Sequence, residues 1–100
     1  MLKKADGRLD FAHPAEELAR RVRALQPWPG AFFDWEGAPL KVQWAHAEDG
    51  RTAAGTRVVH AGQPAVGTSD GLLVLDEVQP AGKRPMPGRA FLAGARDWAG

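Results

Sequence analysis

The sequence predicts a mainly β fold: an OB-like Greek-key barrel of five or six strands, preceded by one α-helix and followed by a short C-terminal helix. Three observations predict it. A helical apolar pattern lies near the start, about five short strand patterns separated by turn residues follow, and proline-rich corners flank the strands at residues 26–30 and 79–86. With 100 residues and 44% hydrophobic content, the chain can form one domain around one core.

The predicted helix begins at a proline and ends before another. Pro14 suits the first helical position, where the missing N–H costs nothing, and Pro27 stops the helix. Arg20 and Arg23 project from the face opposite the apolar stripe. That stripe consists of residues at helical spacing, namely Ala15, Leu18, Val22 and Leu25.

Short strands separated by turns are predicted for most of the remaining chain. Glu36-Gly37 and Asp70-Gly71 suit tight hairpin turns, which need positive φ. Residues 87–93 are predicted to form the last helix, with Phe91 and Leu92 facing inward. The predicted strands are residues 31–35, 40–47, 56–61, 65–68 and 72–79.

Alternation and residue size assign the large side chains to the core. In strand 40–47, Trp44 and His46 fall on the same face as Leu40 and Val42, which predicts that this face is buried. Trp28, Trp35 and Trp44 are expected to pack inside rather than to stack on bases, because a small domain needs bulky filling. Trp98, near the end of the chain, is less constrained.

Catalytic and metal-binding patterns are missing from this sequence. There is no cysteine, which excludes disulfides and thiolate metal sites. His13, His46 and His60 lie in unlike contexts, without metal-ligand spacing or an associated nucleophile. Asp76 and Glu77 are neighbours on a strand, so their side chains point to opposite faces. We therefore predict no catalytic residue, no metal site and no cofactor in this domain.

No segment of the sequence suggests a membrane or an export route. No apolar run approaches the roughly 18 residues of a membrane-spanning helix. The start Met-Leu-Lys-Lys leads into further charged residues rather than into the apolar core of a secretory signal. We expect a cytoplasmic monomer that does not contact a membrane.

The charges are distributed unevenly along the chain. Residues 1–23 hold six Lys and Arg against four Asp and Glu, residues 24–78 hold three against seven, and residues 79–100 hold four against one. The two basic ends would form one positive face if they met in space, and would otherwise be ordinary solvated charges. Residues 1–10, which are polar and without a period, are predicted to be a basic interdomain linker before a domain at residues 11–100.

Lys83 and Arg84 are the leading candidates for contacting phosphate. Pro80 and Pro85 stiffen their loop, which lowers the entropy lost when the cations bind, and Arg can bind phosphate in a bidentate manner. Such contacts address the nucleic-acid backbone and carry little sequence information. The full set of candidate cations is Lys3, Lys4, Arg8, Arg20, Arg23, Lys83, Arg84 and Arg89.

Three ordered motifs resemble the C-terminal domain of methionyl-tRNA formyltransferases. The first is Leu9-Asp10-Phe11, before the helix. The second is Arg23-Ala24-Leu25 running into Pro27-Trp28-Pro29-Gly30, and the third is the closing loop at residues 77–86. The likeness covers essentially the whole chain, although Phe11 stands where the family more often has Trp and Pro87-Gly88 where a polar helix cap is usual.

The resemblance implies that tRNA binding and catalysis belong to two different domains. This segment would bind initiator tRNA through a positive surface. An N-terminal Rossmann-type domain would bind 10-formyltetrahydrofolate and carry the catalytic Asn, His and Asp that formylate the methionyl group for translation initiation. None of those catalytic positions lies in this chain, so the isolated 100 residues are expected to be inactive. The alternatives are an accessory domain of another folate-dependent formyltransferase and an interdomain or protein-interaction module that does not bind RNA.

Overall fold

The computed structural model describes residues 2–99 and confirms the predicted mainly β fold with a helix before it and a short helix after it. A 3-10 helix at Lys4–Gly7 precedes α1, which spans Ala15–Ala24, and α2 spans Gly88–Gly94. Six strands form one antiparallel sheet: Ala31–Trp35 (β1), Ala38–Glu48 (β2), Arg57–His60 (β3), Gln63–Gly67 (β4), Leu72–Gln79 (β5) and Met86–Pro87 (β6).

The strand order has Greek-key connectivity. The order in the sheet is β1-β2-β5-β4-β3, and β6 pairs with β5. Strands β3, β4 and β5 form a meander, and β2 lies beside β5 although the chain leaves β2 for β3 through residues 49–56. Within residues 2–99 no ladder joins β1 to β3, so these two strands are the edges of the sheet.

Two hairpins turn through a pair of consecutive residues with positive φ. Glu36 and Gly37 have φ of 52° and 79°, as the sequence predicted for a tight turn between β1 and β2. Ala61 and Gly62 have φ of 51° and 79° and connect β3 to β4 in the same way. The prediction that the third strand extends through residue 61 is therefore wrong, because Ala61 belongs to the turn.

The irregular pairing of β2 changes which side chains face the core. The register of β2 against β5 shifts on both sides of Trp44. Such an irregularity exchanges the inner and outer positions of the strand. Val42 and Ala45 are buried, whereas Trp44 is 52% exposed and His46 is only half-buried. The prediction that Trp44 and His46 face the core is wrong for this reason.

Of the remaining tryptophans, Trp35 confirms its prediction and Trp28 does not. Trp98 is only 1% exposed, and its ring packs against Phe33, Trp35 and Phe91. Trp35 packs against the core as predicted. Trp28 does not, since 59% of it is exposed at the corner after α1. The end of the chain supplies the filling that the sequence assigned to Trp28 and Trp44.

The predicted linker lies against the sheet through part of its length. Gly7 and Leu9 are buried, and the Leu9 N–H donates to the Phe32 carbonyl at 2.8 Å. Met1 of the predicted linker and Gly100 of the predicted domain lie outside the described residues. None of the helices in the part of the chain that the structure describes has the length and apolar content needed to cross a bilayer.

Candidate nucleic-acid interface

Each of the two proline corners follows a regular element: the first comes after α1 and the second after β5. At the first corner, the Gln26–Pro27 and Trp28–Pro29 peptide bonds are cis, and the Gly30 N–H donates to the Leu25 carbonyl at 3.0 Å. At the second, the Lys83 N–H donates to the Pro80 carbonyl at 3.1 Å, which closes a tight turn after β5. The corners are therefore hydrogen-bonded turns rather than open loops.

A chain of three half-buried glutamines connects the two corners. Gln26 Nε2 donates to the Gln43 carbonyl at 2.8 Å and lies 3.2 Å from Gln43 Oε1. Gln43 Nε2 donates to Gln79 Oε1 at 3.0 Å, and Gln79 Nε2 donates to the Lys83 carbonyl at 3.0 Å. This glutamine chain links the end of α1, β2 and the loop after β5. The sequence pattern did not predict this chain of hydrogen bonds, although Gln26 and Gln79 each directly precede a proline of a corner.

Arg8 differs from the other candidate cations in having a charged partner. Arg8 Nη1 lies 2.8 Å from Asp34 Oδ2, and its guanidinium sits 5.0 Å from the centroid of the Phe32 ring. Among residues 2–99, no ion pair engages the seven other candidates, and all seven are exposed. They are Lys3, Lys4, Arg20, Arg23, Lys83, Arg84 and Arg89.

The structure brings some of these cations together and leaves others apart. Arg20 and Arg23 line a shallow surface pocket with His46 and Ala47 of β2. Residues 79–82 line a small crevice together with Lys41, and Lys83 and Arg84 come directly after them in the sequence. Lys41 was not predicted as a site residue, but the β2–β5 register places it directly opposite Gln79. Arg89 lies on α2, and Lys3 and Lys4 lie at the 3-10 helix.

A second polar cluster spans three neighbouring strands. His46 Nδ1 lies 2.8 Å from Asp76 Oδ2, and His46 Nε2 lies 3.0 Å from Glu48 Oε2. Gln63 Nε2 donates to Asp76 Oδ1 at 3.1 Å. The hydrogen bond with Asp76 raises the pKa of His46, against the opposing effect of burial, and the charges of both carboxylates add to the rise. Within the described part of the chain, no group of three or more His, Asp or Glu side chains is arranged so that it could hold a metal ion.

Known sequences match this chain over nearly its full length. Residues 1–96 match the formyl transferase C-terminal domain family. The chain is 46% identical over 99 residues to the methionyl-tRNA formyltransferase of Roseiflexus castenholzii, a match that covers 96% of this chain and 32% of that protein. It is 47% identical over 100 residues to that of Thermus thermophilus, covering 98% of this chain and 30% of that protein. The chain thus spans about a third of the length of the curated relatives it matches.

Solved structures show the same fold at low sequence identity. HypX from Aquifex aeolicus in complex with tetrahydrofolic acid superposes with a TM-score of 0.69 at 18% identity, covering 91% of this chain and 17% of HypX. A variant of that protein gives a TM-score of 0.73 at 16% identity, covering 100% of this chain and 19% of HypX. The sequence matches confirm the resemblance that the three motifs indicated. This chain belongs to the formyl transferase C-terminal domain family.

Proposed function

We propose that this chain is the tRNA-holding C-terminal domain of a methionyl-tRNA formyltransferase that acts in the cytoplasm. The domain would bind initiator tRNA, while a larger N-terminal domain of Rossmann type would bind 10-formyltetrahydrofolate and transfer the formyl group. Relatives with 46–47% identity carry that enzyme's name and are about three times as long as this chain. The additional length of these relatives leaves room for the proposed catalytic domain.

The proposal is carried by two exposed cations, unpaired among the described residues, on the hydrogen-bonded loop between β5 and β6. Lys83 and Arg84 are exposed, and neither forms an ion pair with any other described residue. The Lys83 backbone is fixed at both its N–H and its carbonyl. Two cations on a restrained backbone lose less entropy when they bind phosphate than they would on a mobile loop. Contacts of this kind attach the protein to the RNA backbone without reading its sequence.

The experiment reverses both charges and measures the salt dependence of tRNA binding. In Lys83→Glu/Arg84→Glu, initiator tRNA should bind more weakly. The slope of log affinity against log salt concentration should fall by roughly 1.4 to 1.8, the value expected for two lost phosphate contacts. Arg51→Glu/Arg96→Glu is the matched control, because both arginines are exposed, the net charge changes equally, and neither is a candidate contact. The control should keep the wild-type slope.

Thermal melting shows whether the variants remain folded, since exposed charge changes usually alter stability by no more than about 0.5 kcal/mol. A folded Lys83→Glu/Arg84→Glu protein with wild-type affinity and slope would show that the loop is only a structural corner.

HypX supports a second candidate function. It carries the same fold, and its structure contains tetrahydrofolic acid. The accessory domain of another folate-dependent formyltransferase is therefore the alternative. If the wild-type chain fails to bind tRNA even at low ionic strength, this alternative or an interdomain module replaces the tRNA-holding role.

A further inference from the structure

Two large aromatic side chains are exposed beside the glutamine chain. Trp28 lies two residues after Gln26, and Trp44 directly follows Gln43. More than half of each tryptophan is exposed, whereas Trp98 is buried in the core. Indoles are large apolar groups that normally bury most of their surface. These two indoles therefore contribute surface that the fold itself leaves uncovered.

The strand register places Trp44 on the outer side of the sheet. Val42 and Val78 are paired and buried, so the neighbouring side chains of Gln43 and Gln79 lie on the opposite, outer side. These two glutamines bond to each other there. Trp44 is exposed next to them, at the register shift.

The hydrogen bond from Gln26 brings the first corner to the same part of β2. Gln26 Nε2 reaches the Gln43 carbonyl at 2.8 Å. Only Pro27 separates Gln26 from Trp28 along the chain, so the corner that carries Trp28 is attached beside the strand position of Trp44. Each exposed indole thus belongs to a residue within two positions of the hydrogen bond between Gln26 and Gln43.

The segments that build this surface are basic. Residues 25–30, 40–45 and 77–85 contain three Lys and Arg and a single carboxylate, that of Glu77. Lys41, Lys83 and Arg84 are all exposed. A positive surface with exposed indoles complements an unpaired nucleic-acid strand, which offers phosphates and flat bases.

We propose that Trp28 and Trp44 stack against unpaired bases of RNA while Lys41, Lys83 and Arg84 contact the adjoining phosphates. This inference rests on the proposed tRNA-holding function and adds to it the kind of RNA segment that is bound. Stacking is tolerant of sequence because every base has an aromatic face. The surface would therefore bind single-stranded nucleotides of the tRNA rather than only the backbone of a duplex.

The test uses a labelled twelve-nucleotide oligoadenylate and the 100-residue chain. Trp28→Ala and Trp44→Ala should each weaken binding by about tenfold, the scale of one lost base–aromatic stack. The slope of log affinity against log salt should not change, because an indole carries no charge. Trp28→Phe and Trp44→Phe should keep most of the affinity. Val59→Ala is the matched control, since Val59 is 53% exposed on β3 and lies away from this surface.

Tryptophan fluorescence provides a reading that does not depend on truncating a side chain. Oligoadenylate should quench the wild-type emission, and a Trp28→Phe/Trp44→Phe protein should lose the quenching while the emission of Trp35 and Trp98 remains.

Each other outcome overturns the inference in a distinguishable way. If the alanine variants bind oligoadenylate like wild type while Lys83→Glu/Arg84→Glu weakens tRNA binding, stacking is wrong and the phosphate contacts stand; the indoles then belong to a protein-binding surface. The same conclusion follows if the wild-type chain binds tRNA but not oligoadenylate. If it binds neither, the proposed function fails together with the inference.

Discussion

His46 shows how one side chain's charge is controlled by its neighbours on the sheet. Asp76 and Glu48 lie within hydrogen-bond distance of its two ring nitrogens, so the doubly protonated ring can donate to both. These contacts raise the pKa of His46 above its ordinary value of 6.5. Its protonated form should therefore stabilise the fold.

The pH dependence of stability should reveal this contribution. Because the folded-state pKa is raised, the stabilisation is fully present below about pH 6.5 and is lost as pH rises through the folded-state pKa. His46→Gln should therefore lower the free energy of unfolding more at pH 6 than at pH 9, as measured by urea denaturation.

Asp76→Asn provides the matched comparison for His46. It removes the carboxylate that dominates the effect, so an NMR titration should give a lower pKa for His46 in this variant than in the wild-type protein. A wild-type His46 that titrates at or below 6.5 would contradict the assignment.

At the scale of elements, Gly88 determines how α2 meets the sheet. The first residue of α2 is buried, and a Cβ there would collide with the Leu75 carbonyl oxygen of β5 and come within 3.1 Å of Pro64 Cδ. No side chain fits at position 88, so the close approach of α2 to β5 requires glycine here. The residue that caps the helix is Pro87, which is exposed.

Alanine at two glycines of the same helix should separate packing from helix propensity. Gly88→Ala should destabilise the protein by about 1–3 kcal/mol, as overpacking typically does. At Gly94, the last residue of α2, a Cβ meets no atom within 4 Å, so Gly94→Ala should be neutral or slightly stabilising. Urea denaturation of both variants measures the difference. Equal stabilities would show that α2 can move away from β5 at no cost.

At the scale of the whole molecule, Trp98 joins the end of the chain to both edges of the sheet. Its ring packs against Phe33 of β1, and its Nε1 donates to the Val58 carbonyl of β3 at 2.8 Å. Arg57 Nε donates back to the Trp98 carbonyl at 2.7 Å. The segment after α2 thus completes the core where no ladder connects the edge strands among residues 2–99.

Removing this side chain should cost much of the domain's stability. Trp98→Ala should lower the free energy of unfolding by about 3–5 kcal/mol, the usual cost of deleting a buried aromatic ring. Trp98→Phe should cost less, because it keeps part of the packing and loses the hydrogen bond to Val58. Trp28→Ala is the control, since that indole is mostly exposed. A Trp98→Ala protein as stable as this control would refute the central role of Trp98.

The sequence alone determined the features that depend on neighbouring residues. The bounds predicted for β1 and β5 coincide with the observed ones, and the helical spacing of Leu18 and Val22 gave α1 its buried face. The three ordered motifs indicated the formyltransferase family, which the sequence matches confirmed. The predicted cations are exposed, yet their contact with tRNA stays a prediction.

Only the tertiary structure decided what distant segments do to one another. The register shift at Trp44, the hydrogen bonds between the three glutamines and the packing of Trp98 against β1 and β3 each join residues at least 17 positions apart. Local periodicity reports which face of an isolated helix or strand is apolar, but a pairing irregularity exchanges those faces without changing the local pattern. Which tryptophans fill the core and which remain exposed is therefore fixed by strand pairing and packing, and not by the residues around each one.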